Sequence, residues 1–232
     1  MFEALHPYEN RLITYSDYLE FALESNCSKP NDAKGARCPV CTRLMKVRSG
    51  HKKGDGHFCH KDDKFCPTKA PAGRPYIGLP PSDIDPIATK LNQEFAQNNL
   101  SKIWNRLQSI VPFIDFKEFI DILAEAKRLR VYSYANLEPK LLPYVYVTLI
   151  NFLPNKSFQK KRKLKFCFFY ESEVQTYGDL WINQGSFSRL TRISYNNGKT
   201  QRVTLIDTNT AYLEREQDSL SQKQLEWCIK IM

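Results

Sequence analysis

Arg37-Cys38-Pro39-Val40-Cys41, then His57-Phe58-Cys59-His60, then Cys66-Pro67, is the stretch on which the reading of this 232-residue chain turns. The Cys38/Cys41 spacing lets a tight turn present two thiolates to one ion, and a second cluster follows after a linker of fifteen residues. A structural zinc takes four such ligands in a tetrahedron. His57, Cys59, His60 and Cys66 compete for the two remaining places. His60 and Cys66 are the expected pair, His57 is the next candidate, and Cys59 stands behind it. If residues 57–60 are extended, His57 and Cys59 face one way and Phe58 and His60 the other; if they form a helical turn, His57 and His60 share a face.

The composition around the motif sharpens the reading. Four of the seven cysteines lie between 38 and 66, and three of the four histidines between 51 and 60. Lys46, Arg48, Lys52, Lys53, Lys61 and Lys64 leave this segment too little apolar surface to fold by burial alone, so it calls for a staple. An odd cysteine count and an N-terminus unlike a secretory signal argue against a disulfide framework and for a reduced, cytoplasmic protein. Four soft ligands leave no open position for water, so the zinc is expected to be structural and not catalytic.

The run Cys38-Pro39-Val40-Cys41, a short basic segment from Leu44 to Lys53, and His57-Phe58-Cys59-His60 together resemble the N-terminal zinc module of the competence protein CoiA-like family. The resemblance covers about thirty of 232 residues. It implies a bacterial or mobile-element protein working around DNA, in competence, recombination or phage defence. Larger CoiA-like members carry a restriction-nuclease-like domain after the module, and that part fits this chain poorly. Such a domain wants an Asp followed, one strand on, by Glu-x-Lys, with the carboxylates holding Mg²⁺. Asp179, Asp207, Glu171 and Glu173 are the candidates, but Arg189 to Ile206 contains no carboxylate and Asp207 leads only to Thr208-Asn209. No Walker loop, dinucleotide turn or Ser-His-Asp arrangement is present either.

Charge is concentrated in two places. Residues 42–69 hold eight basic and three acidic side chains, residues 156–165 hold six basic and none acidic, and together they account for the whole net excess of +9. Lys46, Arg48, Lys52 and Lys53 from the first island and Lys160, Lys161, Arg162 and Lys163 from the second would track a phosphate backbone if they shared a face. Nothing resembles a recognition helix, so the signal names a backbone and not a base sequence. The sequence thus reads as a zinc-stabilised nucleic-acid-binding protein, with DNA the first candidate. A protein-interaction adapter and a divergent Mg²⁺-dependent nuclease are the alternatives from other classes.

Outward from the motif, the expected fold is α+β: a small zinc module in 1–69, a Pro/Gly-rich linker in 70–84, a helical middle in 85–155, and an antiparallel sheet with a closing helix in 156–232. Ser16 or Asp17 would cap a first short helix that packs Leu19, Ala22 and Leu23 inward. Asp85-Pro86 opens the next, with Ile87, Leu91 and Phe95 at four-residue steps and a break at Asn98-Asn99. Asp115 to Glu118 has the order of a capping box, ahead of an apolar stripe from Phe116 to Leu129. Glu138-Pro139 opens another helical candidate running to about Leu153. The most apolar stretch, Leu141 to Leu153, is thirteen residues long, short of the roughly 18 to 20 that cross a bilayer. Strands are expected at Leu164 to Tyr170, Tyr177 to Ile182, Ser188 to Tyr195 and Gln201 to Asp207, the last two joined through Asn197-Gly198. A helix within Ser219 to Met232 closes the chain.

Overall fold

The computed structural model of the chain describes residues 1–50, 56–64, 66–69, 83–134, 137–154, 162–170, 190–215 and 219–232. Strands β1 (Glu3–Leu5), β2 (Leu12–Thr14), β3 (Met45–Arg48) and β4 (His57–His60) and helix α1 (Tyr15–Glu24) belong to the N-terminal part. Helices α2 (Pro86–Asn98), α3 (Leu100–Ile110), α4 (Phe116–Arg128) and α5 (Leu142–Leu149) follow. Strands β5 (Lys165–Tyr170), β6 (Leu190–Asn196) and β7 (Lys199–Ile206) and helix α6 (Gln222–Ile231) complete an α+β fold.

Helices α1, α2, α4 and α6 begin where short polar side chains satisfy their first N–H groups. Asp85 accepts from the amides of Ile87 at 2.9 Å and Ala88 at 3.0 Å. Asp115 and Glu118 form the predicted capping box on α4, and Ser221 and Gln224 form another on α6. Asn99 separates α2 from α3. All eight residues of α5 are buried, which is what a helix without a polar face requires. Among the described residues no helix is long and apolar enough to cross a membrane.

Two helix faces differ from expectation. On α1 the cap is Thr14, whose box partner is Asp17, and the inward residues are Tyr18 and Ala22, four apart; Leu23, a further 100° round, is 72% exposed. Tyr18 donates to the carbonyls of Pro30 at 3.0 Å and Lys34 at 3.3 Å and belongs to the core. On α2 the inward pair is Asn92 and Ala96, and Ile87 is 82% exposed. Asn92 Nδ2 donates to the Tyr132 carbonyl at 2.8 Å.

The C-terminal sheet has the order β5-β6-β7, antiparallel throughout. Asn197 (φ 46°) and Gly198 (φ 76°) are both left-handed, as a two-residue type I′ hairpin requires. The strand expected at Tyr177 to Ile182 and most of the expected 70–84 linker lie outside the described residues. Phe166 through Tyr170 are buried without a break, the pattern of a strand covered on both sides. Phe166, Phe168, Tyr170 and Leu190 join the core of α3 to α6. Cys167, Phe169, Ile193, Tyr195 and Val203 join a second core with Ile13, Tyr18, Met45, Val47 and Phe58 of the N-terminal part. The sheet is therefore the shared wall of two cores. The Thr191 hydroxyl donates to the Pro39 carbonyl at 3.2 Å, and the Val203 amide to the Glu3 carboxylate at 2.7 Å, tying the N-terminal part and its cysteine turn to the sheet.

Candidate metal centre

Cys38 and Cys41 sit on a tight turn closed by three backbone bonds: Thr42 N to Cys38 O at 3.0 Å, Arg43 N to Cys41 O at 2.7 Å, and Cys38 N to Arg43 O at 2.9 Å. The turn leads into β3, which pairs with β4 in the register Met45↔His60, Lys46↔Cys59, Val47↔Phe58 and Arg48↔His57. Alternation along an extended β4 puts Phe58 in the core and His60 on its side of the strand, toward the turn. Arg43 reaches the Lys64 carbonyl at 3.0 Å and lies 3.4 Å from the Asp62 carboxylate, fastening the loop that delivers Cys66.

Cys38, Cys41, His60 and Cys66 come together, with one ligand atom from each within 4.8 Å of all the others. Cys38 Sγ is 3.9 Å from Cys66 Sγ, and Cys41 Sγ is 3.2 Å from His60 Nε2. A tetrahedral ion with metal–sulfur bonds of about 2.3 Å sets its sulfurs about 3.8 Å apart, so the spacing fits one ion at the centre. Cys38 and Cys66 are fully buried, while Cys41 and His60 reach the surface. His57 and Cys59 lie on the other side of β4, outside the cluster, and Cys59 Sγ points to the Lys46 carbonyl at 3.7 Å.

The electrostatics of the cluster favour a cation. Hydrogen bonds from the Cys38 and Cys41 thiols, helped by the Thr68 hydroxyl at 3.1 Å, hold Cys66 down to about 3. Bonds to Cys41 and Cys66, together with burial, push Cys38 well above the ordinary thiol range. Two buried sulfurs this close disfavour a second negative charge beside the first. A dication at the centre removes that conflict and lets every thiol give up its proton. On the sheet side, burial and then the sulfurs of Cys167, Cys66 and Cys38 push the Tyr195 hydroxyl far up, so it stays neutral.

Thr42 and Thr68 carry no sequence signal of their own. Thr42, the residue after the second cysteine, has φ 56°, a left-handed conformation unfavourable for a β-branched side chain. Thr42→Gly is expected to stabilise the metal-loaded protein by about 1 kcal/mol, because left-handed backbone costs an L-residue roughly 1–2 kcal/mol. Urea denaturation at fixed free metal measures it, and an unchanged or lower midpoint refutes it.

The basic residues divide. Lys46 and Arg48 alternate with the buried Met45 and Val47 and so occupy the outward side of the hairpin with His57 and Cys59. Burial, the Met1 ammonium and Arg48 lower the His57 pKa, which leaves that imidazole neutral at pH 7. Lys163 is exposed. Arg162 is not: it is 3% exposed and paired with Glu118, so it is withdrawn from any phosphate-tracking surface. Lys52, Lys53, Lys160 and Lys161 lie outside the described residues, as do Glu171, Glu173 and Asp179 of the nuclease alternative. Asp207 accepts from the amide of Asn209 at 3.0 Å.

Comparison of the chain with protein-family models, with curated proteins and with solved structures gives no match.

Proposed function

We propose that the protein is a zinc-stapled nucleic-acid-binding protein in which the metal fixes the β3–β4 hairpin and the hairpin lays its outward cations on a phosphate backbone. Three sulfurs and one imidazole nitrogen, all within 4.8 Å of one another, suit zinc and not Mg²⁺ or Ca²⁺, which take oxygen. The ion holds structure and supplies no open coordination position. Cys38, Cys41, His60 and Cys66 would hold it, with the Thr68 hydroxyl supporting the Cys66 sulfur.

The observation that carries the binding reading is the division of charge around the staple. Asp62 is engaged by Arg43 and Lys69, whereas Lys46, Arg48, Lys61 and Lys64 form no side-chain ion pair among the described residues. DNA is the first candidate, as the resemblance to CoiA-like modules implies. In anisotropy titrations with single- and double-stranded DNA and RNA, affinity is expected to fall steeply from 50 to 200 mM salt without cleavage in Mg²⁺. Lys46→Ala with Arg48→Ala is expected to reduce the log–log salt slope on duplex DNA by about 1.8, roughly 0.9 for each phosphate no longer neutralised. Zinc-loaded protein that binds none of these nucleic acids would sink the proposal. That result would favour a protein-interaction adapter, a reading supported by Ile87 and Leu91, one turn apart on α2 and turned to solvent.

A further inference from the structure

A concave pocket of about 250 Å³ lies on the far side of the molecule's helical core, between the second half of α3 and residues 209–215. Arg106 forms part of its wall and is half-buried. Its Nε donates to the Tyr144 hydroxyl at 3.0 Å, its Nη1 to Ser109 Oγ at 3.3 Å, and its Nη2 to the Asp207 carbonyl. All three partners are neutral oxygens, and no carboxylate among the described residues pairs with this guanidinium. The Asp207 carboxylate turns instead to Asn209, and the Glu214 side chain is exposed and pairs with neither arginine of the pocket. An arginine carries five N–H groups, so two form no hydrogen bond among the described residues, and the guanidinium lies 5.3 Å from the centre of the Tyr144 ring. The negative end of α3 does not supply the missing charge, because Arg192 already donates to the Ile110 carbonyl there at 2.8 Å. A second arginine, Arg215, stands exposed on the same wall with no ion partner among the described residues.

We propose that this pocket binds a phosphate monoester, with Arg106 as its fixed anchor and Arg215 as its outer clamp. A planar guanidinium held in place by three bonds is preorganised for a forked bond to a tetrahedral dianion. The volume exceeds that of bare phosphate, and the exposed Gln108 offers its amide to the hydroxyls of an attached sugar. A phosphate monoester carries close to two negative charges at pH 7 and a diester one, so a pocket lined by two arginines matches the monoester better. This site is separate from the hairpin and does not depend on the binding role proposed for it.

The test is isothermal titration of the full metal-loaded chain with adenosine 5′-monophosphate and with adenosine. It is paired with anisotropy on one oligonucleotide with and without a 5′-phosphate. Adenosine 5′-monophosphate is expected to bind and adenosine to bind at least about tenfold more weakly, the size of one missing charge-assisted hydrogen bond. Arg106→Gln is expected to weaken the nucleotide about tenfold or more. Arg106 also tethers Asp207, so the exposed Arg215→Gln, which loses no bond among the described residues, serves as the second variant and is expected to weaken binding several-fold with an unchanged fold. An Arg106-dependent preference for the phosphorylated oligonucleotide would assign the monoester to a nucleic-acid end, and its absence alongside nucleotide binding to a free nucleotide. Equal binding of adenosine and its monophosphate, no binding of either, or wild-type affinity in both variants would overturn the proposal.

Discussion

Cys38→Ser is expected to abolish metal binding at the Cys38, Cys41, His60 and Cys66 cluster and, with it, to loosen the packing of the N-terminal part. The N-terminal part contributes strands of only three or four residues and one ten-residue helix. Its cluster of buried side chains is completed by residues of the C-terminal sheet. A structural zinc in a small module supplies about 10–16 kcal/mol at pH 7, comparable with the roughly 5–15 kcal/mol that holds an entire domain folded. Serine in place of Cys38 removes a fully buried ligand and leaves three. Metal affinity should drop by more than about 100-fold, the upper range for losing merely a supporting residue. The damage should then cross the wall. Phe169, Ile193, Tyr195 and Val203 on the back of the sheet lose their cover, while Phe166, Phe168 and Tyr170 stay packed on the helices. Hydrogen exchange should therefore accelerate in β3, β4 and β7 and remain slow in α3, α4 and α5. Chelation of the wild-type protein should reproduce the same pattern. Cys59→Ser and His57→Ala should retain one metal per chain, since neither side chain belongs to the cluster. A Cys38→Ser protein that still binds one equivalent, or whose exchange is unchanged, would falsify the assignment of the staple.

How much of this was legible in the sequence follows from the range of the interactions. The Cys38–Cys41 turn, the caps at Asp85 and Asp115 and the Asn197-Gly198 hairpin are local, set by residues within five positions of one another. The choice of His60 over His57 is one step less local. It needs β4 to be extended and paired with Met45 opposite His60. The two-sided burial of β5 shows in its unbroken apolar run, but what covers each side does not. One cover is the helical core and the other comes from more than a hundred residues earlier in the chain. On α2, apolar spacing favoured Ile87 and Leu91 as the inward face. Asn92 and Ala96 turn inward instead, with Phe95 packed beside them, and Asn92 bonds the Tyr132 carbonyl forty residues away. The same limit hid the acidic partner of Arg162. Within the run Lys160 to Lys165 every residue but Leu164 is basic, and nothing in that run distinguishes the one that turns inward.

Arg162→Met is accordingly expected to destabilise the protein by about 3–5 kcal/mol, the usual result of stripping one member from a buried ion pair. Its guanidinium donates to both oxygens of Glu118, to the Leu153 carbonyl at 2.7 Å, and at longer range to the carbonyls of Pro112 and Phe113. One side chain thus ties the end of the α5 region to the turn before α4, where Phe113 is held at φ 54°. Glu118 also caps α4 by accepting from the Asp115 amide at 3.1 Å. Methionine would leave a largely buried carboxylate facing three carbonyls with no cation. Adding Glu118→Gln should recover a good part of the loss, because glutamine keeps the capping bond and removes the stranded charge. Urea midpoints of the two single variants and the double variant measure that coupling. Nucleic-acid binding by the folded Arg162→Met protein should keep the wild-type salt slope, in contrast to the loss expected at Lys46 and Arg48. An unchanged urea midpoint together with a shallower salt slope would mean that Arg162 faces solvent and acts with its neighbours on the phosphate backbone. A large fall in stability with the salt slope intact would leave Lys163 and the outward side of the β3–β4 hairpin as the described surface on which the binding charge must be sought.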